Sequence, residues 1–241
     1  MQQPPSAHGP SLSPASILSV DTSTKVCSVA IHSEGRLLAS LETHLENSHA
    51  ESLALMIEQV CRLAKVPLEQ LSAFALSKGP GSYTGLRIGC STVKGLCFAF
   101  EKPLITLSTL RIMAEPFLPF LEEHAFACSL LDARRMEVYA AVFDGAGESK
   151  IKEQAIVLDE NSFSELLSHH SILFVGNGAR KFQEIIKNAN AKFSLEGTPL
   201  AKNMGGLAFQ ALQEQNFSDL AYFEPDYLKE FHTTAKIVST E

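Results

Sequence analysis

A short pattern that occurs twice constrains the fold of this chain more than any other feature of the sequence. The segments Leu18–Asp21 and Ser129–Asp132 each predict a buried strand that ends on an aspartate, and a short turn and an alternating strand follow each of them. A glycine comes 14 residues after the aspartate in the first copy and 13 residues after it in the second. Two β-hairpins can resemble each other by chance, but the order of elements after them also repeats. We therefore predict a duplication, with two related α/β lobes joined near Thr106–Arg111.

The rest of each half predicts helices packed on a mixed sheet. In the first half, a strand near Ser72–Ser77 leads through a glycine loop into a helix that ends near Phe100. In the second half, the strand Ile172–Val175 likewise leads through a glycine loop into a helix. Each half also has an S-x-x-E capping box, at Ser48 and at Ser162, that predicts a helix start. We divide the chain into a disordered leader at 1–15, an N-terminal lobe at 16–108, a C-terminal lobe at 109–218 and a segment at 219–241 that packs back near the first lobe.

Composition excludes several classes of protein. The 241 residues are 45% hydrophobic, which is too apolar for a disordered chain, and no apolar run is long enough for a membrane-spanning helix. The net charge of -7 argues against a free-standing nucleic-acid binder, because such binding depends on cations that neutralise phosphates. Five cysteines without metal-ligand spacing predict free thiols in a reducing compartment. We therefore expect a soluble, cytoplasmic protein.

The glycine-rich stretch Gly79–Gly89 has two interpretations. It precedes a helix whose N-terminal amides can bind an anion, and its glycines equally suit a tight turn between a strand and a helix. It is not a Walker loop, because no Gly-Lys-Ser or Gly-Lys-Thr follows. The candidate anion contacts in this stretch are Gly79, Gly81, Ser82 and Thr84.

The turn after the first aspartate consists of Asp21, Thr22, Ser23 and Thr24. It fits the first phosphate-binding turn of an actin-like ATPase or sugar kinase, and it also fits a hairpin turn with polar caps. A two-lobed phosphotransferase normally has a second phosphate turn of small residues in its other lobe. The matching segment here, Asp132–Met136, is bulky and has no glycine, which argues against a working kinase.

Two glycines in the second predicted helix indicate a close contact. Gly85 and Gly89 lie four residues apart on one helix face, and Val93 continues that face. Glycine inside a helix costs about 0.5–1 kcal/mol relative to alanine, so we expect another helix to approach this face unusually closely. That helix belongs either to the same chain or to a second protein, and the residues alone leave this open.

Searches for catalytic and metal-binding patterns lead to no site. His44 and His49 do not share a helix face, and no H-E-x-x-H motif occurs. Arg134 and Arg135 form a basic pair, which a solvated turn explains at least as well as phosphate recognition. We therefore predict no catalytic residue and no metal ligand.

Five motifs in fixed order resemble one known family over about 17–231. They are ILSVDTST with CSVA at 17–30, GPGSYTGLRIG at 79–89, LDARRMEVY at 131–139, VGNGA at 175–179 and PDYLK at 225–229. This set resembles the TsaB (YeaZ) family, the bacterial tRNA threonylcarbamoyladenosine biosynthesis proteins. Lys229, where the family often has arginine, and the uncharged leader depart from the family pattern.

The resemblance implies an actin-like (ASKHA, ribonuclease H-like) α/β fold of two duplicated lobes that has lost its own catalysis. It implies pairing with a TsaD-like transferase, which forms threonylcarbamoyladenosine at adenine 37 of ANN-decoding tRNAs, and with a TsaE-like ATPase. It further implies a homodimer when the partner is absent, contact with tRNA only through the complex, and no contact with a membrane. No cofactor is expected to be tightly bound, with ATP or ADP as a ligand only within the complex.

The family pairing uses two helices of the first lobe, which correspond to 48–65 and 84–100 here. The expected interface residues are Leu53, Met56, Ile57, Val60, Gly85, Gly89 and Val93. On this basis we expect Gly89→Leu to abolish pairing and to leave the chain folded. The alternative function is an actin-like small-molecule kinase or ATPase that uses the Asp21-Thr22-Ser23 turn.

Overall fold

The computed structural model describes residues 14–46 and 48–228, so residues 1–13 of the predicted leader and 229–241 of the predicted C-terminal segment lie outside the described residues. The elements of the first half are β1 Ser16–Asp21, β2 Cys27–Ser33, β3 Arg36–Thr43, α1 His49–Ala64, β4 Ala73–Gly79, α2 Tyr83–Phe100 and β5 Leu104–Ser108. They form a mixed sheet in the order β3-β2-β1-β4-β5. β2 is antiparallel to β1 and β3, whereas β4 and β5 continue the sheet parallel to β1.

The second half repeats this arrangement. Its elements are α3 Thr109–Ala114, β6 Phe126–Asp132, β7 Glu137–Phe143, β8 Ser149–Val157, α4 Ser164–His169, β9 Ile172–Val175, α5 Ala179–Ile185, β10 Ala191–Ser194 and α6 Gly205–Gln213. The sheet order β8-β7-β6-β9-β10, with the same parallel and antiparallel pairs, matches the first sheet strand for strand. This confirms the predicted duplication, and the strand order is the ribonuclease H-like arrangement of the actin-like fold.

The first sheet is covered on both faces. Leu18 and Val20 of β1 belong to the core cluster under α1 and α2, while Ile17 belongs to a cluster on the opposite face. Because both faces are covered, β1 and β2 are buried along nearly their whole length instead of at alternate residues, and polar side chains such as Ser19 and His32 are buried with the apolar ones. The opposite face is lined by small residues, among them Ala73 and Ala75 of β4, so a helix can approach it closely.

That opposite face is covered by α6 and by the 3₁₀ turn Ala201–Asn203 that precedes it. The Ser28 hydroxyl of β2 accepts a hydrogen bond from the amide of Ala201 at 2.9 Å, and the buried His32 ring lies 3.1 Å from the Lys202 carbonyl. The last part of the predicted lobe at 109–218 therefore packs on the first sheet. Sequence reasoning placed these residues in the second lobe only because its boundary was drawn at 218.

The helix α3 lies at the predicted join and contacts both lobes. Ile112 packs in the cluster of the first lobe, whereas Leu110 and Met113 pack in a cluster with residues of the second sheet. The Ser129 hydroxyl of β6 donates to the Leu110 carbonyl at 2.7 Å. One helix thus fixes the two lobes to each other.

The segment 216–228 runs along the first lobe. Ser218 pairs with Leu104 at the free edge of β5, with its amide 2.9 Å from the Leu104 carbonyl. Lys94 of α2 donates to two carbonyl groups of the segment at 3.0 and 3.3 Å. The segment therefore ties an edge of the sheet to a helix.

Neither predicted capping box caps a helix. Ser48 directly precedes α1, but its hydroxyl donates to the Leu45 carbonyl at 2.8 Å. Ser162 lies before α4, and its hydroxyl donates to the Asp159 carboxylate at 2.8 Å. In both places the serine hydroxyl stabilises the preceding turn instead of the first turn of the helix.

Candidate functional site

The first phosphate-like turn is sealed inside the protein. Asp21, Thr22 and Ser23 have at most 1% of their surface exposed. Both the amide and the hydroxyl of Ser23 donate to Asp21 Oδ1, at 3.2 and 3.0 Å, and the same hydroxyl lies 3.1 Å from Oδ2. These contacts are internal to the turn, so the carboxylate faces its own neighbours instead of solvent.

Burial dominates the chemistry of Asp21. It raises the pKa of this carboxyl to about 6, from an ordinary value near 3.8, although the hydrogen bonds from Ser23 act to lower it. No ion pair with Asp21 occurs among the described residues. The carboxyl therefore changes its charge near pH 6 without a cation to hold the charged form.

The glycine-rich loop between β4 and α2 packs directly on this turn. The Ser82 amide donates to the Ser23 carbonyl at 2.7 Å. A Cβ atom on Gly81 would overlap the Ser23 carbonyl oxygen, and one on Gly85 would overlap the Thr22 carbonyl oxygen. Glycine is needed at these two positions because the two backbones touch.

The eight candidate anion-binding residues thus lie close together, but most of them contact one another instead of facing an open site. Ser82 and Thr84 are exposed, Thr24 and Gly81 are half-buried, and the others are buried. Gly79 is also covered from outside, because a Cβ there would lie 2.6 Å from the Asp226 carbonyl oxygen of segment 216–228. Anion binding by this loop stays a prediction, and the geometry here is that of a closed backbone contact.

The predicted interface residues lie in the core of the first lobe. Gly89 faces Thr22, whose hydroxyl a Cβ atom would overlap, so the close approach is to the β1–β2 turn and to Leu76 of β4 instead of to another helix. These residues are buried because the apolar stripe of a helix that lies on a sheet faces that sheet, and their role in partner contact stays a prediction. The buried residues are Leu53, Met56, Ile57, Val60, Gly85, Gly89 and Val93.

Other apolar residues of the same helices face outward. Leu55 and Leu63 of α1 are 58% and 61% exposed, and Phe98 of α2 is 80% exposed. Both helices run from the carboxyl edge of the sheet to its amino edge, so they lie side by side in the same direction. We call Leu55, Leu63, Gly95 and Phe98 the outer helix face. Sequence reasoning could have found it from the leucines and the phenylalanine that fall off the buried stripe.

The outer helix face ends in a depression at the C-terminal end of α2. This depression, of about 480 Å³, is lined by Phe98, its neighbours in α2 and Leu220 of the segment 216–228. Gly95, one turn before Phe98, has open space where a Cβ would stand. The surface therefore combines a large aromatic side chain with a bare stretch of helix.

Two absences apply to the part of the chain that the structure describes. No three His, Cys, Asp or Glu side chains there are grouped so that they could hold a metal ion. No helix there is long and apolar enough to cross a membrane.

Comparisons with known proteins agree in pointing to one family. Residues 43–240 match the family model of TsaD, tRNA N6-adenosine threonylcarbamoyltransferase. The chain is 30% identical to the tRNA threonylcarbamoyladenosine biosynthesis protein TsaB of Escherichia coli over 221 residues, which is 88% of this chain and 94% of that protein. It is 26% identical to TsaB of Bacillus subtilis over 232 residues, which is 93% and 99% of the two chains. The solved structure of YeaZ from Pseudomonas aeruginosa superposes with a TM-score of 0.73 at 27% identity, covering 89% of this chain and all of that one.

Gly89 and Gly95 of α2 are predicted to respond in opposite ways to substitution by alanine. Gly89→Ala places a methyl group on Thr22 in a packed core, so we expect a loss of about 2–3 kcal/mol in the free energy of unfolding. Gly95→Ala meets nothing and removes glycine from an exposed helix, so we expect a gain of about 0.5–1 kcal/mol. Denaturant unfolding of both variants measures this, and equal effects would contradict the packing described. Gly89→Leu is accordingly expected to unfold the lobe, contrary to the expectation from sequence.

Asp21→Asn predicts a change in pH dependence. The pKa of Asp21 is higher in the folded chain than in the unfolded one, so its contribution to stability is full below about pH 4 and is lost as pH rises through 6. The wild-type chain should lose about 3 kcal/mol from this group over that window, and the variant should not. Unfolding measured at about pH 3.5 and at about pH 8 tests this. A difference between the two proteins that is the same at both pH values would contradict it.

Proposed function

Because the chain belongs to the TsaB family of tRNA threonylcarbamoyladenosine biosynthesis proteins, we propose that it is a non-catalytic subunit required for this modification at adenine 37 of ANN-decoding tRNAs. The observation that carries the accessory role is the sealed turn at Asp21. A phosphotransferase of this fold needs an accessible carboxylate near the nucleotide phosphates, and here that carboxylate has no exposed surface. The kinase or ATPase alternative has no comparable support.

The outer helix face is the proposed contact with a TsaD-like transferase. Leu55, Leu63 and Phe98 are large apolar side chains on two adjacent helices, and aromatic anchors of this kind dominate binding energy at protein interfaces. Since this chain itself matches the TsaD family model, a TsaD-like partner carries the same pair of helices. Two such pairs can pack as a four-helix bundle around a local two-fold axis.

The same geometry allows a homodimer when the partner is absent. An interface around a two-fold axis brings the same patch of both chains together, so the outer helix face needs to complement only itself. The heterodimer then replaces one copy by the related TsaD-like chain. The two assemblies compete for one surface and exclude each other.

A TsaE-like ATPase completes the proposed assembly, and nucleotide belongs to the assembly instead of to this chain alone. The turn at Asp21 is closed by the backbone contact between Ser82 and Ser23, which leaves no room for a phosphate beside the carboxylate. We therefore propose no resident cofactor for the isolated chain, and ATP or ADP as ligands of the complex.

Phe98→Glu tests the outer helix face. We expect it to weaken pairing with a co-expressed TsaD-like subunit by roughly thirtyfold or more, because a charge replaces a central aromatic anchor. The matched control is Phe120→Glu, since Phe120 is equally exposed, at 85% against 80%, but lies outside the two helices. Co-purification followed by size measurement reads the result. Pairing that survives Phe98→Glu, or that fails equally in the control, would remove this surface as the interface.

Reconstitution tests the function itself. Threonylcarbamoyl transfer to tRNA by the TsaD-like and TsaE-like subunits should require this chain, and the isolated chain should not turn over ATP. Asp21→Asn serves as the control for residual ATPase activity. Robust hydrolysis by the isolated chain that Asp21→Asn abolishes would restore the kinase alternative, and full transfer without the chain would overturn the proposed role.

A further inference from the structure

The turn between β6 and β7 is the duplicate of the sealed turn, but it has the opposite character. Arg134, Arg135 and Met136 of this turn are exposed, whereas Asp21 and Ser23 in the first copy are buried. Neither arginine side chain has a hydrogen bond or ion pair within the described residues. In a chain of net charge -7, two adjacent unpaired cations at a loop tip stand out.

The backbone of this turn is held in a conformation that arginine disfavours. Arg134 has φ +75° and Arg135 has φ +49°, in the left-handed region where glycine and asparagine are the usual residues. Two consecutive bulky residues in that region persist only when the surrounding structure imposes it, and such strain concentrates at functional positions.

The surrounding contacts do impose it. Asp132 Oδ1 accepts from the Arg134 amide and from Lys181 Nζ, both at 2.6 Å, and the Asp132 amide donates to Asn177 Oδ1 at 2.8 Å. Lys181 Nζ also lies 3.3 Å from the Glu137 carbonyl at the far end of the turn. The loop is therefore anchored from below by α5 and the residues before it, and the Asp132 carboxylate is paired with Lys181.

A rigid loop tip that carries two guanidinium groups has the chemistry to bind a phosphate ester. Each guanidinium offers a planar fork of donors that matches phosphate oxygens, and a fixed backbone reduces the entropy lost on binding. Adjacent arginines can contact two successive phosphates of a nucleic-acid strand, whereas a free nucleotide has its phosphates in one cluster. Phosphate contacts position a nucleic acid without reading its sequence.

We infer that Arg134 and Arg135 bind the phosphodiester backbone of the tRNA when this chain is part of its complex. This inference rests on the proposed function, since that function brings tRNA to the assembly. The chain then contributes one local contact, while its net negative charge leaves most of the electrostatic attraction to the partner.

The test uses Arg134→Asn with Arg135→Gly, which removes both charges and suits the left-handed backbone. We expect a melting temperature at or above that of the wild-type chain, and tRNA affinity of the complex roughly tenfold lower, with a salt slope smaller by about 1–2. The charge-matched control is Lys187→Asn with Lys192→Asn, two exposed cations of the same lobe, and it should change tRNA affinity little.

Three arms separate the outcomes. Unchanged tRNA affinity in the intact complex overturns the inference and leaves the proposed function standing. If the variant loses ATP affinity but keeps its tRNA affinity, the arginine pair binds a free nucleotide. If it loses co-purification with the partner but keeps its tRNA affinity, the pair makes a protein contact. Either result overturns the inference. If no complex forms with the wild-type chain, the proposed function fails, and the inference fails with it because it places the contact in the complex.

Discussion

The backbone contact between the β1–β2 turn and the start of α2 determines most of what the first lobe presents to its surroundings. Gly81, Gly85 and Gly89 let α2 and its loop touch Ser23 and Thr22 without intervening side chains. This contact sets how α2 lies on the sheet, and therefore which residues of α2 face inward and which face outward. It also covers the Asp21 carboxylate. One contact thus closes a phosphate-like turn and fixes the orientation of the helix that carries Phe98.

The two copies of the duplicated hairpin have diverged in opposite directions. In the first copy, the turn consists of small polar residues and packs under the glycine-rich loop, so its aspartate is buried. In the second copy, bulky arginines keep the turn at the surface, and its aspartate pairs with Lys181. A working phosphotransferase needs both turns open toward one ligand. Here the first turn is closed and the second is exposed at the surface, which supports the accessory role proposed above.

Local patterns in the sequence predicted the architecture well, because the helices, strands and turns that make up the architecture depend mainly on residues close together in the chain. The strand-turn-strand repeats, the order of elements and the two lobes follow from periodicity and turn residues. The failures concern choices between distant partners. Ser48 and Ser162 satisfied the capping pattern but found acceptors in the preceding turn. Gly85 and Gly89 correctly indicated a close approach, but nothing local to the helix specifies that the β1–β2 turn is what approaches. Sequence reasoning missed Leu55, Leu63 and Phe98 because it considered only the apolar residues at regular helical spacing, and those residues form the buried face.

The position of α6 has a consequence for how the chain acquires its structure. The alanine-lined face of the first sheet is covered by residues 201–213, and the free edge of β5 pairs with Ser218. Both contacts join parts of the chain that are separated by the whole second lobe. During synthesis from the N-terminus, the first sheet therefore emerges with one apolar face and one edge uncovered, and it stays so until the second lobe has been made. The lobe that is translated first is thus completed last, and its exposed face in that interval is the part of the molecule most in need of protection from aggregation.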